Sequence, residues 1–231
     1  MWTLFVGIVF IAGCGGSGNQ TETTTTQVEN TTIDAEPAST DMLRVACIGD
    51  SITEGFALSD PTTQSYPAQL QTFIGDTVEV QNFGIKTRTV SRAGELSYWD
   101  TTQYQQSLSY NPDIVVIMLG TNDMQDVNIM YQDDIINDYG DLIASYRALE
   151  SQPIVYICLP SPSFGIVRGI TNARIKNILI PKIKEVSELN NVSVIDVYSL
   201  LNNKEELFPD TLHPNVEGAR QIAQLVYQTI Y

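Results

Sequence analysis

The chain contains one histidine, His213, and an aspartate, Asp210, stands three residues before it. A serine, Ser51, lies far upstream, directly after an apolar run that ends in Gly49-Asp50. A hydroxyl, an imidazole and a carboxylate are the groups that nucleophilic acyl transfer requires, because the imidazole takes the hydroxyl proton and the carboxylate orients the imidazole. Any histidine-dependent chemistry must use His213. Taken alone, a serine after a strand is more commonly the cap of a turn than a catalytic residue.

The charge balance of the 231-residue chain excludes several other classes of function. Lys and Arg number 12 against 27 Asp and Glu, which gives a net charge of −15. So acidic a protein repels phosphate backbones, and we expect no nucleic acid as a partner; strongly anionic substrates are disfavoured as well. Three cysteines and one histidine nearly exclude a zinc site of the Cys/His kind. We expect neither a metal nor another cofactor, because acyl transfer through a serine needs none.

Five apolar runs bounded by turn residues predict strands that are buried on both faces. They span residues 43–49, 78–83, 114–119, 154–159 and 192–197, and helical patterns lie between them. This alternation predicts an α/β fold with three layers, α/β/α, around a parallel sheet. With a strand order of 2-1-3-4-5, Cys47 and Cys158 lie on strands that are not neighbours, so we expect free thiols. A helical stripe over residues 175–189 contains Pro181, which predicts a kink.

In open parallel sheets, functional sites form beyond the carboxyl ends of the strands. Ser51 follows the first predicted strand, Gly84 ends the second, and Asn122 follows the third. Asp210 and His213 stand just before the last predicted helix. These residues are therefore expected to converge on one rim of the sheet. The plainer interpretation is that the glycine and the asparagine only form turns.

Four short blocks occur in order along the chain: GDSIT at 49–53, Gly84, GTND at 120–123 and DTLHP at 210–214. In these blocks residues 43–231 resemble the SGNH (GDSL-type) hydrolases, which are esterases, lipases and carbohydrate deacetylases with a flavodoxin-like fold. The segment at 85–89 lacks a second glycine that many members have there.

The resemblance implies a role for each matching residue. Ser51 is expected to be the nucleophile, His213 the general base and Asp210 the residue that orients the base. The expected oxyanion hole consists of the backbone N–H groups of Ser51 and Gly84 and the side-chain amide of Asn122.

The pattern is most similar to that of sialate O-acetylesterases and acetylxylan esterases, which implies removal of an acetyl or other short acyl group from a carbohydrate. Phe164 and Arg168, in the loop after the fourth strand, are expected to contact the substrate. Trp99 is expected to stack on a sugar ring, although a packing role explains it equally well. The alternatives are a lipase, lysophospholipase or thioesterase of this family, transfer to an acceptor other than water, and a binding module without catalytic activity.

The first 41 residues have a different composition from the rest. Residues 1–13 are mostly apolar and predict a secretory signal of the lipoprotein type, with lipidation at Cys14, although no Lys or Arg precedes the apolar run. Residues 14–41 are rich in Thr, Ser and acids and predict a flexible linker. We expect residues 42–231 to form a hydrolase domain that is exported and held at a bacterial membrane only by the lipid, facing the periplasm or the outside. The oligomeric state is left open.

Overall fold

The strand that leads to Ser51 runs from Leu43 to Gly49, and its last five residues are fully buried. The computed structural model describes residues 42–231. The predicted signal at 1–13, the lipidation site Cys14 and the predicted linker at 14–41 lie outside the described residues. No helix between residues 42 and 231 combines the length and the apolar character that a membrane crossing requires.

The five predicted strands form one parallel sheet. Their order is β2-β1-β3-β4-β5, so the predicted α/β fold class and strand order are confirmed. The strands are β1 Leu43–Gly49, β2 Val78–Gly84, β3 Ile114–Met118, β4 Ile154–Leu159 and β5 Ser193–Asp196. The fifth is shorter than predicted, because the Asp196 side chain accepts from the Ser199 N–H and begins a helix there.

Helices connect the strands and cover both faces of the sheet. They are α1 Ser51–Glu54, α2 Pro61–Gln64, α3 Tyr66–Ile74, α4 Thr102–Ser109, α5 Ile135–Arg147, α6 Asn172–Arg174, α7 Ile180–Asn190, α8 Val197–Leu201 and α9 Val216–Ile230. A π-helical turn, Ile175–Leu179, joins α6 to α7, and Pro181 lies in the first turn of α7. The predicted kink is therefore a π-turn, since proline lacks the N–H that would continue the α-helical ladder.

The two faces of the sheet have separate cores. Alternate residues of β1 point to opposite faces: Ala46 and Ile48 share a core with residues of α4, α5 and α7, whereas Val45 and Cys47 share one with residues of α3, α8 and α9. Cys47 and Cys158 are buried free thiols on β1 and β4, which β3 separates, as predicted. With both faces covered, the rim at the carboxyl ends of the strands remains available for a site.

Candidate active site

The Ser51 hydroxyl, the His213 ring and the Asp210 carboxylate form one chain of hydrogen bonds. Ser51 Oγ lies 2.9 Å from His213 Nε2, and His213 Nδ1 lies 2.7 Å from Asp210 Oδ2. Both ring nitrogens therefore have a partner, although 162 positions of sequence separate the serine from the histidine. The structure brings together the three groups that nucleophilic acyl transfer requires.

The contacts of Asp210 determine which nitrogen of His213 carries the proton. Partial burial raises the pKa of the Asp210 carboxyl, but hydrogen bonds from the His213 backbone, the His213 ring and the Leu212 backbone outweigh it and lower the pKa overall. An ionised carboxylate only accepts hydrogen bonds, so the proton of the neutral ring lies on Nδ1. Nε2 is then left with a lone pair that accepts from the Ser51 hydroxyl.

Ser51 stands at the junction of β1 and α1. Asp50 caps this helix, and its Oδ1 accepts from the Ile52 N–H at 3.0 Å. Gly49 has no room for a side chain, because a Cβ there would collide with Thr53 and lie 2.8 Å from the Met118 carbonyl oxygen. As the first residue of a helix, Ser51 has an N–H without an intrahelical acceptor. Ser51 therefore sits at the junction of two secondary-structure elements with its own backbone N–H beside its hydroxyl.

Asp210 and His213 lie on a loop with a strained residue at its centre. Thr211 has φ +72°, a value that β-branched residues rarely adopt. Its carbonyl oxygen accepts from the Phe164 N–H at 2.8 Å, and a Cβ on Gly165 would lie 2.9 Å from the Thr211 Cβ. The loop after β4 thus holds the catalytic loop in place. Sequence reasoning missed this contact, which no short motif reveals.

Two residues predicted to contact the substrate lie elsewhere. The Phe164 ring packs against Phe208, with ring centroids 5.0 Å apart, in the core below α9. Trp99 donates its Nε1–H to the Val90 carbonyl oxygen at 3.0 Å, and the Arg92 guanidinium lies 3.8 Å above its ring. Neither side chain lines the cavity at Ser51. Burial of large apolar area against the core explains both positions better than contact with a ligand.

The Asn122 side chain lies in the cavity wall, and both its amide nitrogen and its amide oxygen have hydrogen-bond partners. Its Nδ2 donates to Asp50 Oδ2 at 3.2 Å and to the Arg88 carbonyl oxygen at 3.1 Å, and its Oδ1 accepts from Gln125 Nε2 at 2.7 Å. Since a carboxylate and a carbonyl only accept, Nδ2 must face them. Gln125, which sequence reasoning missed, therefore fixes the orientation of the amide, and an oxyanion would have to replace one of the two acceptors.

Gly84 is not brought to the cavity. Its N–H donates to Asn82 Oδ1 at 2.8 Å, and the residue borders a second depression next to Glu54. A Cβ here would collide with the Glu54 nitrogen and lie 2.6 Å from the Thr53 carbonyl carbon. The absent side chain thus permits close packing of β2 against α1. Its predicted role in an oxyanion hole stays a prediction.

The triad opens into a cavity of about 290 Å³. Ser51, Asn122, Asp210, His213 and the predicted contact residue Arg168 all line it. The other lining residues are Ile52, Phe56, Lys86, Thr87, Thr121, Gln125, Val167, Ile170 and Leu212. Ligand sites commonly measure about 300 to 1000 Å³, so this cavity suits a small group.

Phe56 contacts the general base from outside the triad. Its ring centroid lies 4.9 Å from that of His213, and 42% of the residue is exposed. It follows the glycine that ends α1, Gly55, whose φ is +86°. The arrangement presents an aromatic face beside the reacting groups. No sequence pattern singled out this phenylalanine.

Two buried carboxyl groups lie behind the cavity. Burial raises the pKa of Asp50 to about 6, against hydrogen bonding from the Ile52 N–H, and raises that of Asp123 to about 7, against hydrogen bonding from the Ser91 and Val90 N–H groups. Asp123 accepts from those two groups at 2.9 and 3.0 Å. It therefore holds the segment next to Arg88, whose carbonyl oxygen contacts the Asn122 amide.

A model of the GDSL-like lipase/acylhydrolase family matches residues 47–221, which include Ser51, Asp210 and His213. The chain belongs to this family. The family resemblance that the four sequence blocks indicated is thereby confirmed.

Relatives of this family member include a curated acetylxylan esterase from Xylanibacter ruminicola. The two are 33% identical over 208 residues, which cover 82% of this chain and 43% of that protein. The chain thus spans less than half the length of this relative.

Solved structures share the fold at lower identity. A carbohydrate acetylesterase from Sinorhizobium meliloti has a TM-score of 0.67 and 20% identity, covering 81% of this chain and 98% of that one. An aryl esterase from M. smegmatis has a TM-score of 0.65 and 18% identity, covering 81% and 98%. These likenesses establish the fold.

Proposed function

We propose that the chain is a serine esterase that hydrolyses short-chain acyl esters, above all O-acetyl esters of carbohydrates. The observation that carries this proposal is the unbroken relay of hydrogen bonds from Asp210 through His213 to Ser51, on the wall of a cavity. Membership of an acylhydrolase family supports the reaction class. Similarity to an acetylxylan esterase supports the acyl group and the type of alcohol.

The first half of the reaction transfers the acyl group to the enzyme. Ser51 Oγ attacks the ester carbonyl carbon while His213 Nε2 takes the hydroxyl proton, and the carbonyl oxygen becomes an oxyanion. The bond to the alcohol oxygen then breaks, and that oxygen receives the proton from Nε2. The alcohol leaves, and the acyl group remains as an ester of Ser51.

The second half releases the acid by the same steps in the opposite direction. Water attacks the acyl carbon, and its proton goes to His213 Nε2. The bond to Ser51 Oγ breaks, and the serine oxygen takes the proton back. Asp210 stays ionised throughout and stabilises the imidazolium each time it forms.

The oxyanion needs donors on the cavity side of Ser51. We assign this role to the Ser51 N–H and one hydrogen of the Asn122 amide, which would exchange the Arg88 carbonyl oxygen for the oxyanion. A donor of this kind typically contributes about 3 kcal/mol to the transition state. Gln125 holds the amide oxygen of Asn122, so the exchange requires the Arg88 carbonyl oxygen to move away or to share this hydrogen with the oxyanion.

The size of the cavity and its aromatic neighbour support a small acyl group on a sugar. About 290 Å³ suffices for an acetyl group and part of its alcohol. The exposed face of Phe56 beside His213 offers an apolar surface on which a sugar ring can rest.

Acetate release from acetylated xylo-oligosaccharides tests the proposal. The wild-type protein should release acetate, and Ser51→Ala should lower kcat by about 10⁴-fold or more, since the nucleophile is lost. Ser109→Ala is the matched control, because its exposed hydroxyl bonds only to the Gln105 carbonyl oxygen and should leave the rate unchanged. Equal rates for wild type and Ser51→Ala would refute the assignment.

A chain-length series separates the alternatives. On p-nitrophenyl esters from acetate to octanoate, we expect kcat/KM to fall steeply beyond about four carbons, because the cavity of about 290 Å³ is at the small end of the range for ligand sites. A maximum at octanoate would favour a lipase, and faster turnover of acyl thioesters would favour a thioesterase. The absence of turnover on every ester would favour a binding module.

Export is proposed on the sequence alone. We propose that residues 1–13 direct secretion, that Cys14 carries a lipid, and that this anchor is the only attachment of the domain to a membrane. Cells that express the full chain should incorporate labelled palmitate into it, and Cys14→Ser should abolish the label. Label that persists in Cys14→Ser would overturn the assignment.

A further inference from the structure

Two positive charges line the catalytic cavity of a strongly acidic protein. Lys86 and Arg168 are part of its wall, and the only carboxylate there is Asp210, which already binds His213 and the Leu212 N–H. Among residues 42–231, neither cation makes an ion pair. The chain as a whole carries a charge of −15.

Five of the ten other cations among residues 42–231 have a carboxylate partner. The Arg92 guanidinium lies 2.7 Å from Asp138 and from Asp141, and Arg174 lies 2.8 Å from Asp126. Lys86 and Arg168 differ from the other cations because they line the cavity that contains Ser51.

The backbone of Arg168 is held firmly in an unusual conformation. Its φ is +49°, in the left-handed region, and its carbonyl oxygen accepts from the Asp126 N–H at 3.0 Å. The next residue, Gly169, also has a positive φ, +85°. Such strain concentrates at functional sites, where it fixes the position of a side chain.

Lys86 is tied to the general base through an aromatic ring. Its N–H donates to Glu54 Oε2 at 2.9 Å, and its Nζ lies 5.3 Å from the centroid of the Phe56 ring. That ring in turn packs on His213. The ammonium group is thus held near the aromatic surface on which we propose the sugar rests.

A third cation of the same segment has an unsatisfied donor. The Arg88 Nε is buried and has no acceptor among the described residues, while the Arg88 carbonyl oxygen contacts the Asn122 amide. Arg88 is not among the residues that line the cavity, so its charge adds only to the positive potential beside Lys86.

We propose that the site recognises esters whose alcohol part carries a carboxylate, such as an acetylated uronosyl residue, and that Lys86 and Arg168 determine this specificity. The inference rests on the esterase function proposed above. A guanidinium binds a carboxylate through paired hydrogen bonds, and the ammonium adds a second charge. The net negative charge of the protein acts at long range and is screened by salt beyond about 10 Å, whereas this pair acts within the cavity.

Matched acetyl esters test the inference. The substrates are a mono-O-acetyl methyl glucosiduronate, its primary amide, and the corresponding glucoside 6-sulfate. The wild type should favour the carboxylate over the amide by about tenfold in kcat/KM, and 0.5 M NaCl should reduce this ratio.

The variants are Lys86→Gln, Arg168→Gln and the double substitution, and the readout is the ratio of the two kcat/KM values. Each single substitution should lower the ratio by about threefold, and the double substitution should bring it near one. Lys184→Gln removes an exposed cation far along α7 and should keep the wild-type ratio.

Failure of this inference is distinguishable from failure of the esterase function. A wild type that hydrolyses the neutral amide ester but shows no preference for the carboxylate overturns the inference alone. Losses of equal size on both substrates in the variants overturn it too, because they indicate a structural role. Preference for the sulfate over the carboxylate overturns the choice of anion. No turnover of any ester overturns the esterase function itself, and the inference with it.

Discussion

Ser51 is carried by a strand and a capped helix, whereas Asp210 and His213 are carried by a loop before α9. Around Ser51 the neighbours are buried, and Asp50 and Gly49 are packed against β3 and α1. Around His213 the loop bends at Thr211, with φ +72°, and the segment after β4 holds it. The position of Ser51 therefore depends on the stability of the fold, and the position of His213 depends on contacts between two loops.

The largest expected effect is the loss of kcat on substitution of Asp210, in the loop before α9. Asp210→Asn replaces the carboxylate with an amide that no longer fixes the proton on His213 Nδ1, so kcat should fall by about 10³- to 10⁴-fold while the fold is retained. Steady-state kinetics on p-nitrophenyl acetate measure the loss. Asp196→Asn, at the cap of α8, is the control and should keep full activity. A loss below tenfold for Asp210→Asn would contradict the proposed relay.

Two glycine substitutions separate the regions. Gly165→Ala adds a Cβ 2.9 Å from the Thr211 Cβ, so it should displace the catalytic loop and lower kcat/KM by about 10- to 100-fold with little change in stability. Gly49→Ala places a Cβ 2.8 Å from the Met118 carbonyl oxygen, so it should lower the free energy of unfolding by about 2 kcal/mol or more.

Kinetics and urea unfolding of both variants measure these effects. Gly140→Ala is the control, since its nearest atom would be 3.4 Å away and alanine favours a helix. If Gly165→Ala unfolds the protein while Gly49→Ala lowers only kcat/KM, the proposed contrast between the two regions is wrong.

The buried carboxyl groups of Asp50 and Asp123 predict that the stability of the protein depends on pH. The folded pKa of Asp50 is about 6 and that of Asp123 about 7, both raised by burial above the ordinary value of 3.8. Between these pH values the folded state binds protons that the unfolded chain has released. The two carboxyl groups therefore add to the free energy of unfolding at low pH, and this stabilisation is lost as pH rises from about 4 to 7. The pKa of Asp210 is lowered, so this residue affects stability in the opposite sense: the stabilisation that it provides is lost as pH falls.

Urea unfolding at pH 5 and pH 8 checks this prediction. Each proton that the folded protein retains and the unfolded chain has released lowers the free energy of unfolding by about 1.4 kcal/mol for every rise of one in pH. Asp123→Asn should flatten this dependence, because it removes one of the two protons. Asp76→Asn, at an exposed position, should leave the dependence as in the wild type. A wild type that gains stability between these pH values would contradict the assignment.

The smallest expected effect concerns the surface beside the loop. Phe56→Leu removes the aromatic face that packs on His213. KM for an acetylated oligosaccharide should rise by about three- to tenfold, more than KM for p-nitrophenyl acetate, because an aromatic contact typically contributes about 0.5 to 1.5 kcal/mol. Phe73→Leu, which packs on Tyr227 away from the cavity, is the control. Equal changes for both substrates would assign Phe56 a packing role only.

The strands and the surroundings of Ser51 could be predicted from the sequence to a large extent. Periodicity located all five strands to within about two residues, and the carboxyl-end rule placed Ser51 and Asn122 at the same rim. Both inferences use local pattern and one topological rule. The π-turn before α7 was not predicted as such, because Pro181 indicated only that the helix would be interrupted there.

In the loop before α9, sequence analysis predicted only the residues that belong to a short motif. Asp210 and His213 were found, but the strain at Thr211 and its support from the Phe164 backbone depend on contacts between distant segments. Phe164 and Trp99 were expected to contact the substrate, with packing an equal alternative for Trp99, and both are half-buried against the core outside the cavity lining. Phe56 and Gln125 were missed because a helix end and a 3₁₀ turn aim them at the site.

Covalent labelling with a fluorophosphonate tests the central claim most directly, since the probe reacts only with a serine that a neighbouring base activates. Mass spectrometry of the digested protein should show one adduct, on the peptide that contains Ser51, and Asp210→Asn should slow its formation. A protein that forms no adduct, or forms it on another serine, would contradict the account.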